Sequence, residues 1–183
     1  MRIPTAIKLH KASRTLELEY GADERYVLPA EFLRVHSPSA EVQGHGNPVL
    51  QTGKLKVALE QIEPAGQYAL KLTFSDGHDS GLYTWDYLER LALNQQALWD
   101  AYLAALAAAG VPVVKHGNRA ASSASGAADV LEALNIPLDL DPDRAVRQFE
   151  SSNFTFLFAP AYNPAIAFVQ PVRKALGVPT LFN

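Results

Sequence analysis

Apolar and polar residues alternate in several short runs along the first third of the chain. Residues 14–20, RTLELEY, follow this pattern, as do residues 54–62, KLKVALEQI, and residues 67–74, QYALKLTF. A period of two is typical of a β-strand with one buried face. Turn residues, EPAGQ, separate the last two runs, so we expect these runs to pair as antiparallel strands. Residues 81–85, GLYTW, are predicted to form a further short strand.

Helical spacing of apolar residues follows the alternating runs. In residues 26–35, YVLPAEFLRV, we expect a strand to lead into a short helix with Pro29 in its first turn. Residues 84–93 are predicted to form a helix, and a second helix is predicted from an N-cap at Asn94 to a stop at Gly110. The N-terminal half is therefore predicted to be an α+β domain, a small antiparallel β-sheet with helices at its C-terminal end.

Strands that alternate with helices characterise the second half of the chain. VPVVKHGN, residues 111–118, is predicted to be a strand that enters a polar loop. The continuous apolar run FTFLFAP, residues 154–160, is typical of a strand covered on both faces. Three helices are expected. The first covers SGAADVLEAL, the second begins at an N-cap at Asp141 with Pro142 at the first helical position, and the third begins at Asn163.

This change of pattern divides the chain in two. Alternating strands and helices indicate a partial α/β fragment with parallel, crossover-type connections, unlike the antiparallel pattern before it. We place the two domains at residues 1–108 and 109–183, a division compatible with the total length of 183 residues.

Composition and charge narrow the classes of partner. The chain has 16 basic and 19 acidic residues and a formal net charge of −3, so it lacks the basic face that nucleic-acid binding needs. It has no cysteine, which excludes disulfides and thiolate metal ligands. The N-terminal MRIPTAIKLH has no apolar signal core, and no apolar run is long enough to span a bilayer. We expect a cytoplasmic protein with no nucleic-acid or membrane partner.

Two polar, turn-rich stretches, residues 34–46 and 74–88, contain three histidines: His36, His45 and His78. Imidazole groups with nearby carboxylates suit iron or zinc, so these three side chains are candidate metal ligands. The alternative is that each histidine caps a turn or bonds to a backbone carbonyl. The sequence leaves both interpretations open.

The segments LPAEFLRVHSPSAEVQGHG and IEPAGQYALKLTFSDGHDSGLYTWDYL resemble the gamma-butyrobetaine hydroxylase-like N-terminal domain, over about residues 3–108. In the hydroxylases that domain precedes an iron- and 2-oxoglutarate-dependent oxygenase and binds structural zinc through three clustered cysteines and a later histidine. His78 matches that histidine, but Ser37 and Ser39 occupy cysteine positions, so the zinc site does not carry over. Hydroxylation does not carry over either, since the iron triad is missing. The resemblance implies an accessory or binding module.

Residues 115–126, KHGNRAASSASG, form a polar segment between a predicted strand and a predicted helix. Free backbone N–H groups and the helix dipole favour an anion at such a position. Lys115 adds a positive charge, Ser122 and Ser123 add hydroxyl donors, and Gly117 lets the backbone approach a ligand closely. The segment is therefore a candidate phosphate-binding loop, with a solvated serine-rich turn as the alternative.

The same segment, continued through PVRKALGVPTLFN, strongly resembles anthranilate phosphoribosyltransferase over about residues 109–183. That enzyme forms phosphoribosyl-anthranilate from anthranilate and phosphoribosyl pyrophosphate with magnesium, in tryptophan biosynthesis. The resemblance implies that Asn118 and Arg173 contact anthranilate, with the guanidinium facing its carboxylate. It assigns these residues to phosphoribosyl pyrophosphate: Lys115, His116, Gly117, Asn118, Arg119, Ala120, Ala121, Ser122, Ser123 and Ala127.

The departures from this family are as informative as the match. Ala124 and Ala127 stand where lysine and serine are common. The family's N-terminal helical domain, glycine-rich diphosphate loop and Asn-x-Ser-Thr segment have no counterpart before Lys115, and its magnesium-binding acidic pair would lie beyond Asn183. We therefore expect the magnesium ligands to be absent, and no residue of this chain is assigned a catalytic role.

Three functions fit these observations. The first is a non-catalytic fusion that retains phosphate or phosphoribosyl pyrophosphate binding, and it is the one we favour. The second is an enzyme whose missing lobes come from a complementary chain. The third is an iron- or zinc-binding accessory protein that uses the three histidines. Because the α/β fragment lacks its usual neighbours, we also expect exposed apolar surface and self-association.

Overall fold

The computed structural model describes residues 2–119, 127–133 and 135–163. The chain forms two compact units, Met1–Trp99 and Asp100–Asn183. The N-terminal unit contains antiparallel sheets with helices, and the C-terminal unit contains a parallel pair of strands. The predicted order of an α+β region followed by a partial α/β region is confirmed.

Two three-stranded antiparallel sheets make up the strand content of the N-terminal unit, where we had expected a single sheet. The first contains β1 (Ala6–His10), β2 (Thr15–Glu19) and β3 (Arg25–Pro29), in that order. The predicted strand at RTLELEY is β2, whose Leu16 and Leu18 are fully buried. β1 has no counterpart in the prediction.

The second sheet contains β4 (Leu59–Ala65), β5 (Ala69–Phe74) and β6 (Leu82–Thr84). The pairing of β4 with β5 confirms the predicted antiparallel strands, and β6 is the predicted short strand. β4 begins five residues later than the alternation in KLKVALEQI suggested, because residues 54–58 form a turn and loop.

The helices of the N-terminal unit are α1 (Ala30–Val35), α2 (Ala40–Gln43) and α3 (Trp85–Leu93), with a 3-10 turn at Gly44–Gly46. Pro29 is the N-cap of α1 and not part of its first turn. The division between the two units falls within α4 (Gln95–Ala108).

Asn94 stands directly before the first residue of α4, the position predicted for its N-cap, and its backbone carbonyl accepts from the Leu98 amide over 3.0 Å. Its side-chain amide donates to the carbonyl of Arg90 over 2.8 Å, so Asn94 also caps the C-terminal end of α3. Gly110 follows α4 at a φ of +80°, as expected of a helix stop.

One apolar core fills the N-terminal unit between the two sheets and the helices. Side chains from every strand and from α1 and α3 contribute to it. Its largest fully buried members are Tyr83, Phe32, Phe74, Leu16, Leu18, Leu28, Leu33, Leu59, Leu72 and Leu88. Burial of this much apolar surface supplies the main driving force for folding of the unit.

In the C-terminal unit β7 (Val113–Gly117) pairs in parallel with β8 (Phe154–Phe158), and the pairing joins Lys115 to Phe156 and Gly117 to Phe158. Thr155 and Phe156, neighbours that point to opposite faces, are both buried, in keeping with the expectation for FTFLFAP. A small core of Ala128, Leu138 and Phe156 lies on one side of this pair.

Among the described residues after β7, three helices are present: α5 (Ala127–Ala133), α6 (Pro142–Ser152) and α7 (Ala159–Tyr162). α6 begins as predicted, with Pro142 at its start and the Asp141 carboxylate accepting from the Arg144 amide over 2.8 Å. The helix predicted from Asn163 lies outside the described residues. Within the described ranges, no helix is both long enough and apolar enough to cross a membrane.

The buried hydroxyl of Tyr83 donates to the carbonyl of Leu33 over 2.8 Å, and no part of the Tyr83 side chain is exposed. We expect Tyr83→Phe to lower the free energy of unfolding by about 1–3 kcal/mol, because the carbonyl loses its partner in a dry environment. Urea unfolding of the full chain measures this change. The matched control is Tyr68→Phe, half exposed, which should shift stability by less than about 0.5 kcal/mol. Equal effects of the two variants would contradict the assignment.

Candidate functional site

A cluster of charged side chains lies in the N-terminal unit where α1, α2 and the turn after β5 meet. At its centre is Arg34, whose side chain is only 3% exposed. Its guanidinium donates to Asp76 over 2.9 Å, to Gln51 over 3.3 Å and to Glu41 over 3.4 Å. Lys54 adds a second cation, 2.7 Å from Asp76. A buried guanidinium needs such partners, because desolvation without them is strongly unfavourable.

His78 joins this cluster through both nitrogens of its buried ring. Nδ1 lies 3.1 Å from a carboxylate oxygen of Glu41, and Nε2 lies 2.8 Å from the hydroxyl oxygen of Ser37. A carboxylate only accepts, so Nδ1 donates to Glu41, and the Ser37 hydroxyl and Nε2 share the second hydrogen bond. The Ser37 oxygen in turn accepts from the amide of Ser39 over 3.3 Å.

Ser37, His78 and Glu41 are hydrogen-bonded in the order found in serine hydrolases, but a substrate cannot reach the Ser37 hydroxyl. Ser37 is fully buried, and a methyl group placed on Gly81 would overlap its hydroxyl oxygen. No substrate carbonyl can approach that oxygen in this arrangement. The cluster instead ties α1, α2 and the turn between β5 and β6 together.

The two carboxylates of the cluster are held in the ionised state. Burial by itself raises the pKa of Glu41, but the hydrogen bond and charge of His78, with the charge of Arg34, lower it below the ordinary 4.5. Burial likewise opposes ionisation of Asp76, but the hydrogen bond from Lys54 and the charge of Arg34 lower its pKa below 3.8.

The predicted histidine metal site is not assembled by the side chains that the structure describes. The Nδ1 atom of His36 lies 2.8 Å from the carbonyl of Phe32, and desolvation lowers the His36 pKa. His45 belongs to the 3-10 turn, and its side chain lies outside the described atoms. Among the described residues, no group of three or more histidine, cysteine, aspartate or glutamate side chains is arranged to hold a metal ion.

The predicted phosphate segment of the C-terminal unit begins on β7. Lys115 is largely buried, and its ammonium group is in direct contact with the carboxylate of Asp100. Desolvation lowers the pKa of Lys115. His116, the next residue, is exposed, as expected where successive side chains of a strand point to opposite faces.

Asn118 links the end of β7 to α5. Its side-chain oxygen accepts from the Arg119 amide over 2.8 Å, and its backbone carbonyl accepts from the Ala128 amide over 3.4 Å. Asn118 is half-buried. The two bonds fix the peptide at the point where the strand ends.

Arg119 is bound by acidic side chains of its own unit. Its guanidinium makes a two-pronged contact with the Glu132 carboxylate, with one pair of atoms 2.6 Å apart, and lies 3.8 Å from Asp129. The guanidinium carbon is 5.6 Å from the ring centre of Phe158 on β8. The hydrogen bond between Arg119 and Glu132 is the main cause of two shifts. It raises the pKa of Arg119 and lowers the pKa of Glu132.

The remaining predicted contacts of this segment lie outside the described residues: Ala120, Ala121, Ser122, Ser123 and Arg173. Ala127 begins α5, and its side chain is likewise not described. The structure therefore brings together Lys115, Gly117, Asn118 and Arg119 on β7 and the peptide that follows it. The sequence did not indicate that Asp100, Asp129 and Glu132 would face the two cations.

Both units match known protein families. Residues 7–89 match the family described as gamma-butyrobetaine hydroxylase-like, N-terminal. Residues 101–183 match the family described as glycosyl transferase family, a/b domain. A protein whose structure was determined in solution by NMR is 72% identical, with a TM-score of 0.56, over 61% of this chain and 89% of that chain.

The similar curated proteins match the second half. The anthranilate phosphoribosyltransferase of Corynebacterium diphtheriae is 82% identical over 77 residues, which cover 42% of this chain and 23% of that enzyme. The anthranilate phosphoribosyltransferase of Lactiplantibacillus plantarum is 58% identical over 78 residues, 43% of this chain and 23% of that enzyme. The chain thus spans less than a quarter of the length of these two relatives.

The lowered pKa values of Glu41 and Asp76 predict a loss of stability in acid. A carboxylate whose pKa is lower in the folded state contributes stability that is fully present above its unfolded pKa, at about pH 5 and higher, and is lost as the pH falls through the folded pKa. We expect the urea midpoint of the N-terminal unit to fall between about pH 5 and pH 3.

In the variant Glu41→Gln this acid-dependent loss should be smaller, because the group no longer titrates, while stability at neutral pH falls. Glu60→Gln, a change at an exposed carboxylate of β4, is the control and should follow the wild-type profile. If Glu41→Gln and the wild type lose stability equally between neutral and acid pH, the Glu41 contacts contribute nothing to folding.

Proposed function

We propose that this chain is a non-catalytic fusion that binds phosphoribosyl pyrophosphate. Residues 7–89 match the gamma-butyrobetaine hydroxylase-like N-terminal family, and residues 101–183 match the a/b domain family of glycosyl transferases. The N-terminal unit acts as an accessory domain. The C-terminal unit supplies one wall of an anthranilate phosphoribosyltransferase site.

The observation that carries this proposal is the 82% identity over 77 residues to an enzyme of which those residues are only 23%. Identity at that level favours retention of the enzyme's ligand contacts at matching positions. These are Lys115 through Ser123 and Ala127 for the phosphoribosyl group, and Asn118 and Arg173 for anthranilate.

Charge supports binding without turnover. In phosphoribosyl transfer a pyrophosphate departs, and its developing negative charge must be neutralised by cations aimed at it. The two cations of residues 115–119, Lys115 and Arg119, already face the carboxylates of Asp100, Asp129 and Glu132. Little uncompensated positive charge is left for a leaving group.

The residues described do not provide a site for the family's magnesium ion. Asp129 and Glu132 are the acidic side chains nearest in sequence after the phosphate segment, and both are engaged by Arg119. Magnesium therefore accompanies the ligand in this proposal, and no step is assigned to it. The iron or zinc alternative fits poorly too, since serine hydroxyls replace thiolates and Ser37 already bonds to Nε2 of His78.

The first test is turnover by the purified full chain with anthranilate, phosphoribosyl pyrophosphate and magnesium. Formation of phosphoribosyl-anthranilate is measured as a loss of anthranilate fluorescence. We expect no such loss. Turnover by this chain alone would contradict the proposal. The remaining segments of a relative can also be added as a separate chain. Turnover that appears only after this addition would support the second hypothesis, an enzyme whose missing lobes come from a complementary chain.

The second test is binding, measured by calorimetry with phosphoribosyl pyrophosphate. Asn118→Asp keeps the oxygen that accepts from the Arg119 amide and adds one negative charge, so we expect affinity to fall by about tenfold. Asn47→Asp, the same charge change at an exposed position of the N-terminal unit, is the control. Absence of binding to the wild type, or equal affinities for the Asn118→Asp and wild-type chains, would overturn the binding assignment.

Self-association is a further expectation for the C-terminal unit. Val114 and Val146 are more than half exposed there, at 56% and 54%. We expect sedimentation velocity to show concentration-dependent association that Val114→Thr weakens, because the change removes apolar surface. Leu55→Ser, at an exposed leucine of the N-terminal unit, is the control. A chain that stays monomeric at every concentration would contradict this expectation.

A further inference from the structure

A tight turn in the connection that leads into β4 holds a leucine in solvent. Residues 54–57 close through a hydrogen bond from the Val57 amide to the Lys54 carbonyl, 2.9 Å long, which leaves Leu55 and Lys56 at the tip. The Leu55 side chain is 75% exposed, more than that of any other large apolar residue that the structure describes. Single exposed leucines are common on proteins, so the surroundings of this one decide what it indicates.

The turn is fixed at both of its ends and at its tip. Lys54 lies 2.7 Å from a carboxylate oxygen of Asp76, and Val57, at the other end, is buried in the apolar core. At the tip, the Arg14 guanidinium donates to the Lys56 carbonyl over 3.2 Å. Because these contacts restrain the turn, little conformational entropy is lost when a partner covers the exposed leucine.

Positive charge without acidic partners lies beside this leucine. The Arg14 amide donates to the Lys11 carbonyl in the turn between β1 and β2, and the Arg14 side chain joins that turn to the one that carries the leucine. No carboxylate of the described residues lies within ion-pair distance of Lys11, Arg14 or Lys56. Residues 3–16 and 42–59 contain no aspartate or glutamate, although the whole chain has a formal net charge of −3. The two turns therefore form a local basic surface on an acidic protein.

Further apolar side chains are exposed just before the turn. Val49 and Leu50 are 52% and 36% exposed. Gln51 accepts from the buried Arg34 guanidinium over 3.3 Å, and the carboxylate that pairs with this guanidinium also contacts Lys54. The same ion pair thus anchors this stretch of chain at both ends, with apolar residues exposed on either side of it.

We propose that the turns at residues 11–14 and 54–57, with the adjoining residues 49–50, bind a segment of a partner protein that carries both carboxylates and an apolar side chain. The unpaired cations match the carboxylates of such a segment and guide its approach. Leu55 buries its surface against the apolar side chain, and this contact supplies most of the affinity. The proposal gives the accessory unit a partner and does not depend on phosphoribosyl pyrophosphate binding.

Two other anionic partners fit this surface less well. Nucleic acid is met by an extended basic face or stripe, whereas here three unpaired cations stand on two short turns. Residues 47–57 contain no aromatic residue on which a base could stack. A membrane anchor of the interfacial type is a helix with a broad apolar face, which a four-residue turn does not supply.

Fluorescence anisotropy of a labelled synthetic peptide of alternating glutamate and leucine residues, titrated with the full chain at low salt, tests the proposal. We expect saturable binding that weakens as salt is added, because the exposed charges are then screened. A peptide of the same length with serine in place of leucine should bind about tenfold more weakly, since its apolar contact is missing.

Two variants locate the binding surface. Leu55→Ser should lower the affinity for the glutamate–leucine peptide by about tenfold, and Lys56→Gln should lower it by about two- to threefold and weaken its salt dependence. The controls are Leu93→Ser, at an exposed leucine of α3, and Lys71→Gln, at a lysine already paired with Asp79. Both controls should bind the peptide as the wild type does.

Several outcomes would overturn the proposal. Absence of peptide binding, equal affinities for the Leu55→Ser and wild-type chains, or equal affinities for the leucine and serine peptides would each do so. The same titration with an oligothymidylate, and with vesicles of phosphatidylcholine and phosphatidylserine, distinguishes the other anionic partners. If either probe binds more tightly than the glutamate–leucine peptide and loses affinity in Lys56→Gln, the surface serves nucleic acid or a membrane and not a protein segment.

Discussion

The pairing of cations with carboxylates inside the C-terminal unit determines what its phosphate segment can do. Lys115 contacts Asp100, and Arg119 contacts Glu132 and Asp129, so the two cations of residues 115–119 face carboxylates before any ligand arrives. Such a segment can hold a sugar phosphate through backbone amides and hydroxyls. It has little unpaired positive charge with which to stabilise a pyrophosphate that gains negative charge as it leaves. Catalysis requires interactions that are stronger in the transition state than in the bound ground state. Strong sequence identity to a transferase is therefore compatible with the non-catalytic role that we propose for this chain.

The N-terminal unit uses its charges in a different way. Arg34, His78 and the carboxylates of Glu41 and Asp76 form a network in which each partner is hydrogen-bonded and the central guanidinium is nearly inaccessible. Removing Asp76 would take from the buried Arg34 guanidinium its shortest hydrogen bond, which costs more than an exposed ion pair contributes. This network links α1, α2 and the turn between β5 and β6. It gives the accessory unit a polar centre whose stability depends on pH.

Local signals predicted local structure well. The N-cap at Asp141, the proline after it and the stop at Gly110 act within a few residues, and all three are found in the structure. The β4–β5 hairpin follows from alternation and a turn. β1 was missed because its apolar residues do not alternate strictly with polar ones and none of its five residues is fully buried. Asn94 lies at the predicted position before α4, but the sequence did not indicate that its side chain would cap α3.

The polar contacts could not be predicted in the same way. Glu41 and His78 are 37 positions apart, and only the packing of α2 against the β5–β6 connection brings them together. The contacts of Arg119 with α5 depend on the path of the chain between them, which charge patterns do not encode. The sequence therefore indicated the family resemblance and a candidate phosphate segment, but not the carboxylates that face its cations.

Phosphorus NMR of phosphoribosyl pyrophosphate, mixed with anthranilate, magnesium and an equimolar amount of the full chain, follows binding and bond cleavage in one sample. We predict that the diphosphate resonances shift or broaden while no free pyrophosphate accumulates. Stoichiometric release of pyrophosphate would show that the matched cations still support the displacement, and unperturbed resonances would show that the segment does not hold the ligand.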